Sequence, residues 1–370
     1  MVWISIEIII LIYSYFIILG IMRPYDRFQF KKNKGIIFGF LFLSLVIFSF
    51  YITPSESSDL LFYFRQVIRG QSEEISEILN FQKNPLIVWH FITFIVGRIG
   101  NEHFLTSTMV GITILFWIQN IKITTDSIKI SNRAFSLYFV LFVGVFTWTN
   151  LFSGLRNTAA FSIMAWIVTY NFLLNKKKMG LTIELALCAV CCLIHPATII
   201  VLGFYIVSRY LLKKWYAAII LAVWPWALGF TERILSNANS AYSQYLVEKI
   251  HLYSSDVQYH LSIAFPKYIF ILLFTFGLLY YRKKWEELDL STQYYNFLIC
   301  NCLFTLGAYN YPNIVNRMSL IIALTMLPAI QVFLKTKLYV RVLVYGASVV
   351  FVAGFTAYNY VRMFSHMTIG

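Results

Sequence analysis

Arg156, His195, Arg317 and Asp59 are the side chains whose types and settings could do chemistry. Arg156 stands in Gly154-Leu155-Arg156-Asn157, between two apolar runs, Ala134–Phe152 and Thr158–Leu174, that each read as a membrane-crossing helix. A guanidinium so close to hydrocarbon is costly unless it is paired or faces a polar cavity. It is also permanently charged and offers a fork of donors that fits phosphate oxygens. The rival account is an interfacial arginine that snorkels to the surface. Arg317 lies near the head of a later apolar run, Ile314–Leu334, His195 lies inside the run Leu181–Ser208, and Asp59 follows the second apolar run.

Composition defines the class of element that must position them. Hydrophobic residues make up 59% of the 370 residues, charged residues 12%, and mean hydropathy is +0.70. A soluble domain carries about a quarter charged residues, so the expected fold is an all-α polytopic membrane protein. The first run, Val2–Ile21, has neither a basic leader nor a small-residue cleavage site and reads as a retained helix. All five cysteines lie in apolar runs, where packing is their expected role. The net charge of +14 does not point to nucleic acid, because six short basic segments, holding twenty of the thirty Lys and Arg, punctuate the apolar runs. That is the pattern of cytoplasmic loops.

Placing all six segments on the cytoplasmic side sets a topology. Val2–Ile21 runs inward and Gly35–Ile52 returns, so the external segment 53–103 follows. If Pro85–Gly100 crossed, Lys122–Arg133 and Lys176-Lys177-Lys178 would emerge outside; parity is repaired when Pro85–Gly100 lies along the outer surface as an interfacial helix. Leu181–Ser208 lies between two basic clusters and must leave and return within its own length. Each arm is roughly 21 Å of helix against ~30 Å of hydrocarbon. Its turn, Ile194-His195-Pro196, therefore sits below the outer face, with His195 at the floor of an outward pocket and Pro196 opening the returning helix. Tyr216–Thr231, an external loop at 232–265, and spans over Pro266–Tyr281, Thr292–Ala308, Ile314–Leu334 and Val342–Tyr358 complete about twelve crossings in one integral membrane domain, 1–370. Asp59, Tyr63, Arg65, Arg69, Arg156, His195, Arg233, His251, His260 and Arg317 then share the outer face.

Walker, dinucleotide, zincin and serine-hydrolase motifs are absent, as are paired outer aspartates for a divalent metal, so neither a cofactor nor a metal is expected. Four pieces resemble the EpsG family of polysaccharide polymerases and, by extension, the Wzy O-antigen and capsule polymerases. They are Asp59-Leu60-Leu61-Phe62-Tyr63; Ser153-Gly154-Leu155-Arg156-Asn157 with Ala159-Ala160-Phe161-Ser162; Cys192-Leu193-Ile194-His195-Pro196-Ala197; and Asn313-Ile314-Val315-Asn316-Arg317-Met318. Their order and spacing agree over roughly residues 50 to 330. Two departures stand out: Asn157 replaces the Gln expected after the first arginine, and Lys83-Asn84-Pro85 replaces a Glu-x-Gly ahead of the surface helix.

The resemblance implies a GT-C-like glycosyltransferase with a periplasmic surface helix, working at the outer side of the bacterial plasma (inner) membrane. Its implied reaction moves a growing glycan from undecaprenyl diphosphate onto a new lipid-linked repeat unit, with the bilayer and a chain-length regulator as partners. Arg156 and Arg317 would stabilise charge on the departing diphosphate. His195 would contact the attacking hydroxyl or the phosphate, or else be structural; Asp59 is the rival base, or else the N-cap of a helix Leu60–Gly70. Asn157, Tyr63, Arg65 and Arg233 are the remaining substrate-binding candidates. Tyr63, Trp89 and Trp148 are sugar platforms or interface-belt aromatics.

Other classes make different demands. A transporter or flippase would distribute polar residues through several spans, whereas Glu7 and Glu184 are the main acids at depth and form no through-going path. An O-antigen ligase would carry a larger external domain than 232–265, an acyltransferase an acidic or Asn-rich setting around its histidine, and an assembly protein no outward-facing arginines. In a cysteine-labelling map of cells, residues 83–100 are expected to react from outside and residues 122–133 only after permeabilisation. Outside labelling of 122–133 would overturn the surface-helix assignment and reverse every later loop.

Overall fold

A computed structural model describes residues 2–30, 32–55, 58–82, 84–174, 179–212, 214–224, 228–238, 240–255, 257–335 and 367–369. Helices α1 (Val2–Met22) and α2 (Lys32–Phe50) lead to strand β1 (Ile52–Pro54) and three short helices, α3 (Asp59–Gly70), α4 (Ile75–Ile78) and α5 (Ile87–Ile99). Then come α6 (His103–Ser127), α7 (Asn132–Phe146), α8 (Trp148–Ser153) and α9 (Leu155–Leu173). The hairpin of α10 (Leu181–Ile194) and α11 (Thr198–Ile206) continues into a π-helical turn, Val207–Leu211. A 3-10 turn, Trp215–Ile219, precedes α12 (Ile220–Val223), α13 (Leu228–Ser236), α14 (Ala241–Ser255), α15 (Val257–Tyr280), α16 (Arg282–Glu287), α17 (Thr292–Gly307), α18 (Pro312–Thr325) and α19 (Leu327–Leu334). Among the described residues the regular elements are helices, except that β1 pairs antiparallel with β2 (Met367–Ile369), Ile52 opposite Ile369.

The distribution of polarity is that of a membrane protein. Isoleucines, leucines and phenylalanines face outward, among them Leu11 at 68%, Leu43 at 53% and Phe276 at 63% exposed, while amides and hydroxyls are turned inward. Each buried amide needs a partner in an apolar interior. Asn120 Nδ2 donates to the Leu324 carbonyl at 2.6 Å, Gln331 Oε1 accepts from Ser131 N at 2.8 Å, and Trp117 Nε1 donates to the Tyr138 hydroxyl at 2.7 Å. Among the described residues, α6 alone is a single helix long and apolar enough to cross a bilayer; α18 and α19, bent by 65°, make a second if counted as one broken span. Seven further apolar helices are shorter, among them α5, α7, α10 and most of α15.

The parity argument finds a geometric counterpart. Residues of the Arg23–Lys34 loop lie directly against the Lys122–Arg133 loop: Phe28 N donates to Ile130 O at 2.7 Å, Asn132 N to Asp26 O at 2.8 Å and Asn132 Nδ2 to Arg23 O at 3.0 Å. The two basic clusters thus share one end of the molecule. Helix α5 has 13 residues, about 20 Å, and packs on α3 instead of running the length of the bundle. The buried faces explain the pairing: Leu60, Tyr63, Phe64, Val67 and Gly70 on α3 and Trp89, Thr93, Val96 and Gly97 on α5 recur at helical spacing.

The α10–α11 hairpin forms with His195 at its turn, and a buried network holds its arms together. Tyr205 on α11 donates to Glu184 Oε1 on α10 at 2.7 Å and accepts from Asn171 Nδ2 on α9 at 2.9 Å, while Arg209 in the π-helical turn pairs with Glu184. Glu184 is therefore spent within the hairpin.

Several boundaries differ from the sequence expectation. Ser58, not Asp59, caps α3, its Oγ accepting from Leu61 N at 3.4 Å, because the extended backbone that a capping residue needs falls at Ser58. Pro196 does not open α11, which begins at Thr198; it lies inside a tight turn in which Thr198 N bonds His195 O at 3.2 Å and Ile199 N bonds Pro196 O at 3.0 Å. Its fixed φ suits the second position of such a turn. Tyr216–Thr231 is broken into a 3-10 turn, α12 and α13; the 232–265 stretch contains α14, and α15 starts at Val257, well before Pro266. Val342–Tyr358 lies outside the described residues.

Helices α3 and α5 approach backbone to backbone where they cross. A Cβ on Gly97 would stand 2.6 Å from the Val67 carbonyl oxygen, and neither atom belongs to a side chain that can turn away. Gly97→Ala should force the two helices apart and destabilise the protein by about 1–3 kcal/mol, the usual scale of overpacking. Thermal unfolding of purified protein checks this; an unchanged midpoint would contradict the close crossing.

Candidate active site

Arg156 is the second residue of α9, whose N-terminus carries the positive end of the helix dipole. A cation is disfavoured there, so local helix stability does not account for it. Cross-helix contacts hold it instead. Its Nε donates to the Tyr63 hydroxyl at 3.3 Å, and its guanidinium carbon lies 5.1 Å from the Tyr63 ring centre and 5.4 Å from that of Trp89. The two rings meet edge to face at 5.0 Å, and Trp89 Nε1 donates to Gln66 Oε1 at 2.8 Å. Arg156 is thus seated in an aromatic corner made by α3 and α5, not extended toward an interface. Next to it, Asn157 Oδ1 is buried with no hydrogen-bond partner among the described residues.

His90 follows Trp89 on the same helix and is half-buried. Burial first, then the positive charges of Arg156 and Arg69, hold its imidazole down to a pKa of about 4. Its ring is therefore neutral at physiological pH and able to accept a proton or a hydrogen bond.

A second cluster lies deeper along α9. Phe161, five residues after Arg156 and so ~7.5 Å further along the axis, places its ring 6.1 Å from His195. His195 is 3% exposed, and its Nδ1 accepts from Ala197 N at 3.2 Å. In a neutral imidazole that bond leaves the proton on Nε2. Arg317 Nη1, from the second turn of α18, stands 3.5 Å from Nε2. The guanidinium and the imidazole edge thus stand side by side, a pairing suited to an oxygen acceptor. Arg317 also lines an apolar cavity of about 470 Å³ together with Pro196, Ala197, Phe204, Trp224, Phe304 and Met318. Among the described residues it is the one charged side chain in that lining.

The other sequence candidates are not drawn in. Asp59 is exposed on the first turn of α3. Arg65 is exposed on the face of α3 away from Tyr63, two residues and about 200° round the helix. Arg233 is exposed on α13. Arg69 makes an exposed ion pair with Glu73 at 2.6 Å. The side chains of Trp148, His251 and His260 lie outside the described residues. Sequence reading gave His90 no role beyond marking a surface helix, and passed over Gln66 and Lys267 altogether. The sequence signal that could have found His90 is its adjacency to Trp89, and for Lys267 it is a lone cation inside an apolar run.

The EpsG family profile matches residues 59–368, and the chain belongs to that family. Membership implies a glycosyltransferase-like polysaccharide polymerase, and the helical, apolar-rich chain fits a membrane protein. No match was found among curated proteins or among solved structures.

The depressed His90 pKa has a consequence for stability. Between pH 6.5, its value when free, and about 4, the unfolded chain binds a proton that the folded chain refuses. This contribution to stability is therefore complete above about pH 6.5 and declines as pH falls toward 4. His90→Gln should flatten that part of the curve of unfolding temperature against pH. Parallel curves for the two proteins would show that His90 titrates normally.

Proposed function

We propose that this protein polymerises undecaprenyl-diphosphate-linked oligosaccharide repeat units into O-antigen or capsular polysaccharide, at the outer side of the bacterial plasma membrane. The carrying observation is Arg317, which lines an apolar cavity and stands 3.5 Å from His195 Nε2. That combination suits an amphiphile with an oxyanion head, and a prenyl diphosphate is such a molecule. Family membership supplies the polymerase class.

In this reading the acceptor sugar hydroxyl attacks the anomeric carbon of the donor glycan. The bond from that carbon to the diphosphate oxygen breaks, and its electron pair stays on the diphosphate. Arg317 and the His195 Nε2–H receive that charge, and a fixed donor aimed at a developing anion is worth about 10²–10³ in rate. The prenyl tail lies in the cavity behind them. His195 cannot be the base in this tautomer, because the proton is already on the nitrogen that faces the site. Neutral His90, beside Arg156, takes the proton from the attacking hydroxyl, a role for which exposed Asp59 is worse placed. Arg156 holds the second anionic group, and Asn157 Oδ1 offers an acceptor to a sugar hydroxyl. The aromatic corner of Tyr63 and Trp89 orients Arg156 and gives a sugar ring a face to lie on.

The surrounding architecture follows the same reading: about twelve crossings, a GT-C-like arrangement, α3 and α5 at the outer surface, and a chain-length regulator as partner. Purified enzyme supplied with a lipid-linked repeat unit tests it. Arg156→Ala and Arg317→Ala should leave single repeat units with the protein still folded, and Lys at either position should recover little because the bidentate fork is lost. His195→Ala should cost at least ~10²-fold in rate. Normal polymer length in both arginine variants would remove the diphosphate clamp.

A further inference from the structure

Lys267 lies on α15, one residue after Pro266, and is 1% exposed. An ammonium buried in a helix of an apolar bundle carries a desolvation penalty of several kcal/mol. Packing alone would favour Met or Leu at such a position. Its Nζ donates to Asn316 Oδ1. Asn316 immediately precedes Arg317 on α18, and its carbonyl accepts the Ser319 hydroxyl at 2.7 Å. The two adjacent side chains point about 100° apart, one to α15 and the other to His195 and the cavity.

We infer that Lys267 is a positioning residue for the Arg317–His195 donor pair, acting through Asn316 to set the rotation of α18 about its own axis. The inference rests on the polymerase reading given above. Helix α15 packs along α18, so a hydrogen bond from Lys267 to Asn316 pins that rotation close to the first turns. With a long side chain at Arg317, a small helix rotation moves its guanidinium away from the point it shares with His195 Nε2. Lys267 touches no reacting atom in this account. Its role is to keep the Arg317 guanidinium beside His195.

Farnesyl diphosphate, a short prenyl diphosphate, is the probe, with binding measured on purified full-length protein in lipid nanodiscs beside thermal unfolding. Lys267→Met and Asn316→Leu should each weaken binding about tenfold and lower stability, because each removes the Lys267–Asn316 hydrogen bond and sets the remaining polar group against an apolar side chain. The double variant Lys267→Met/Asn316→Leu removes both polar groups, so its unfolding temperature should recover. Its affinity should stay about tenfold low, no worse than either single variant. Recovery of both stability and affinity in the double variant would mean a purely structural pair and overturn the inference. So would wild-type affinity in Lys267→Met. Arg317→Ala separates the two levels of argument: if it binds the probe as tightly as wild type, or if wild type does not bind at all, the polymerase reading of this site fails first.

Discussion

Arg156 is held by neighbours that are distant in sequence. Tyr63 and Trp89 come from helices separated from it by an entire long helix, α6, and by α7, yet both rings stand within about 5 Å of its guanidinium. The charge is placed at a helix end that electrostatics disfavours, and the aromatic corner helps to hold it there. The corner in turn depends on the close crossing of α3 and α5, which Gly70 and Gly97 permit. Helices α3 and α5 and the start of α9 thereby become one unit. Burial and neighbouring charge then determine the state of His90 within that unit.

The second cluster obeys the same logic from the other side of α9. A hairpin of short helices needs something to hold its arms, and Glu184, Tyr205, Asn171 and Arg209 supply a buried network near the ends away from the turn. With the arms fixed, the turn can present His195 in one orientation, and Ala197 N selects the tautomer. Arg317 reaches the same spot from α18. The polar work of the bundle is thus divided between contacts that lock helices together and contacts that leave donors converging on a shared point.

Segregation of these roles accounts for the choice among function classes. A transporter would need polar groups leading through the bundle; among the described residues the one buried acid, Glu184, bonds Tyr205 and Arg209 within its own hairpin through Oε1. The convergent donors lie beside apolar lining, an arrangement suited to a molecule with an anionic head and a hydrocarbon tail. Membership of the EpsG family points to a polysaccharide polymerase.

Class, helicity, the loops bearing the basic clusters and the short hairpin around His195 were legible in the sequence, because each depends on local composition or on length against a fixed helical rise. That the Arg23–Lys34 and Lys122–Arg133 segments lie on one side was the premise of the crossing count, while their hydrogen-bonded contact came from the fold. Arg156, Asn157, His195, Arg317 and Tyr63 could be singled out by type and by resemblance. Only the tertiary structure decided which of the equally polar Asp59, Arg65, Arg233, His90 and Lys267 stand near them. Helix rotation turns Arg65 away from Tyr63 by about 200°, and no sequence spacing sets the rotation of one helix against another. Packing sets it, through contacts such as Gly97 on Val67 and Lys267 on Asn316. Protonation was decided there too, since the proton on His195 and the neutrality of His90 come from neighbours brought in by the fold.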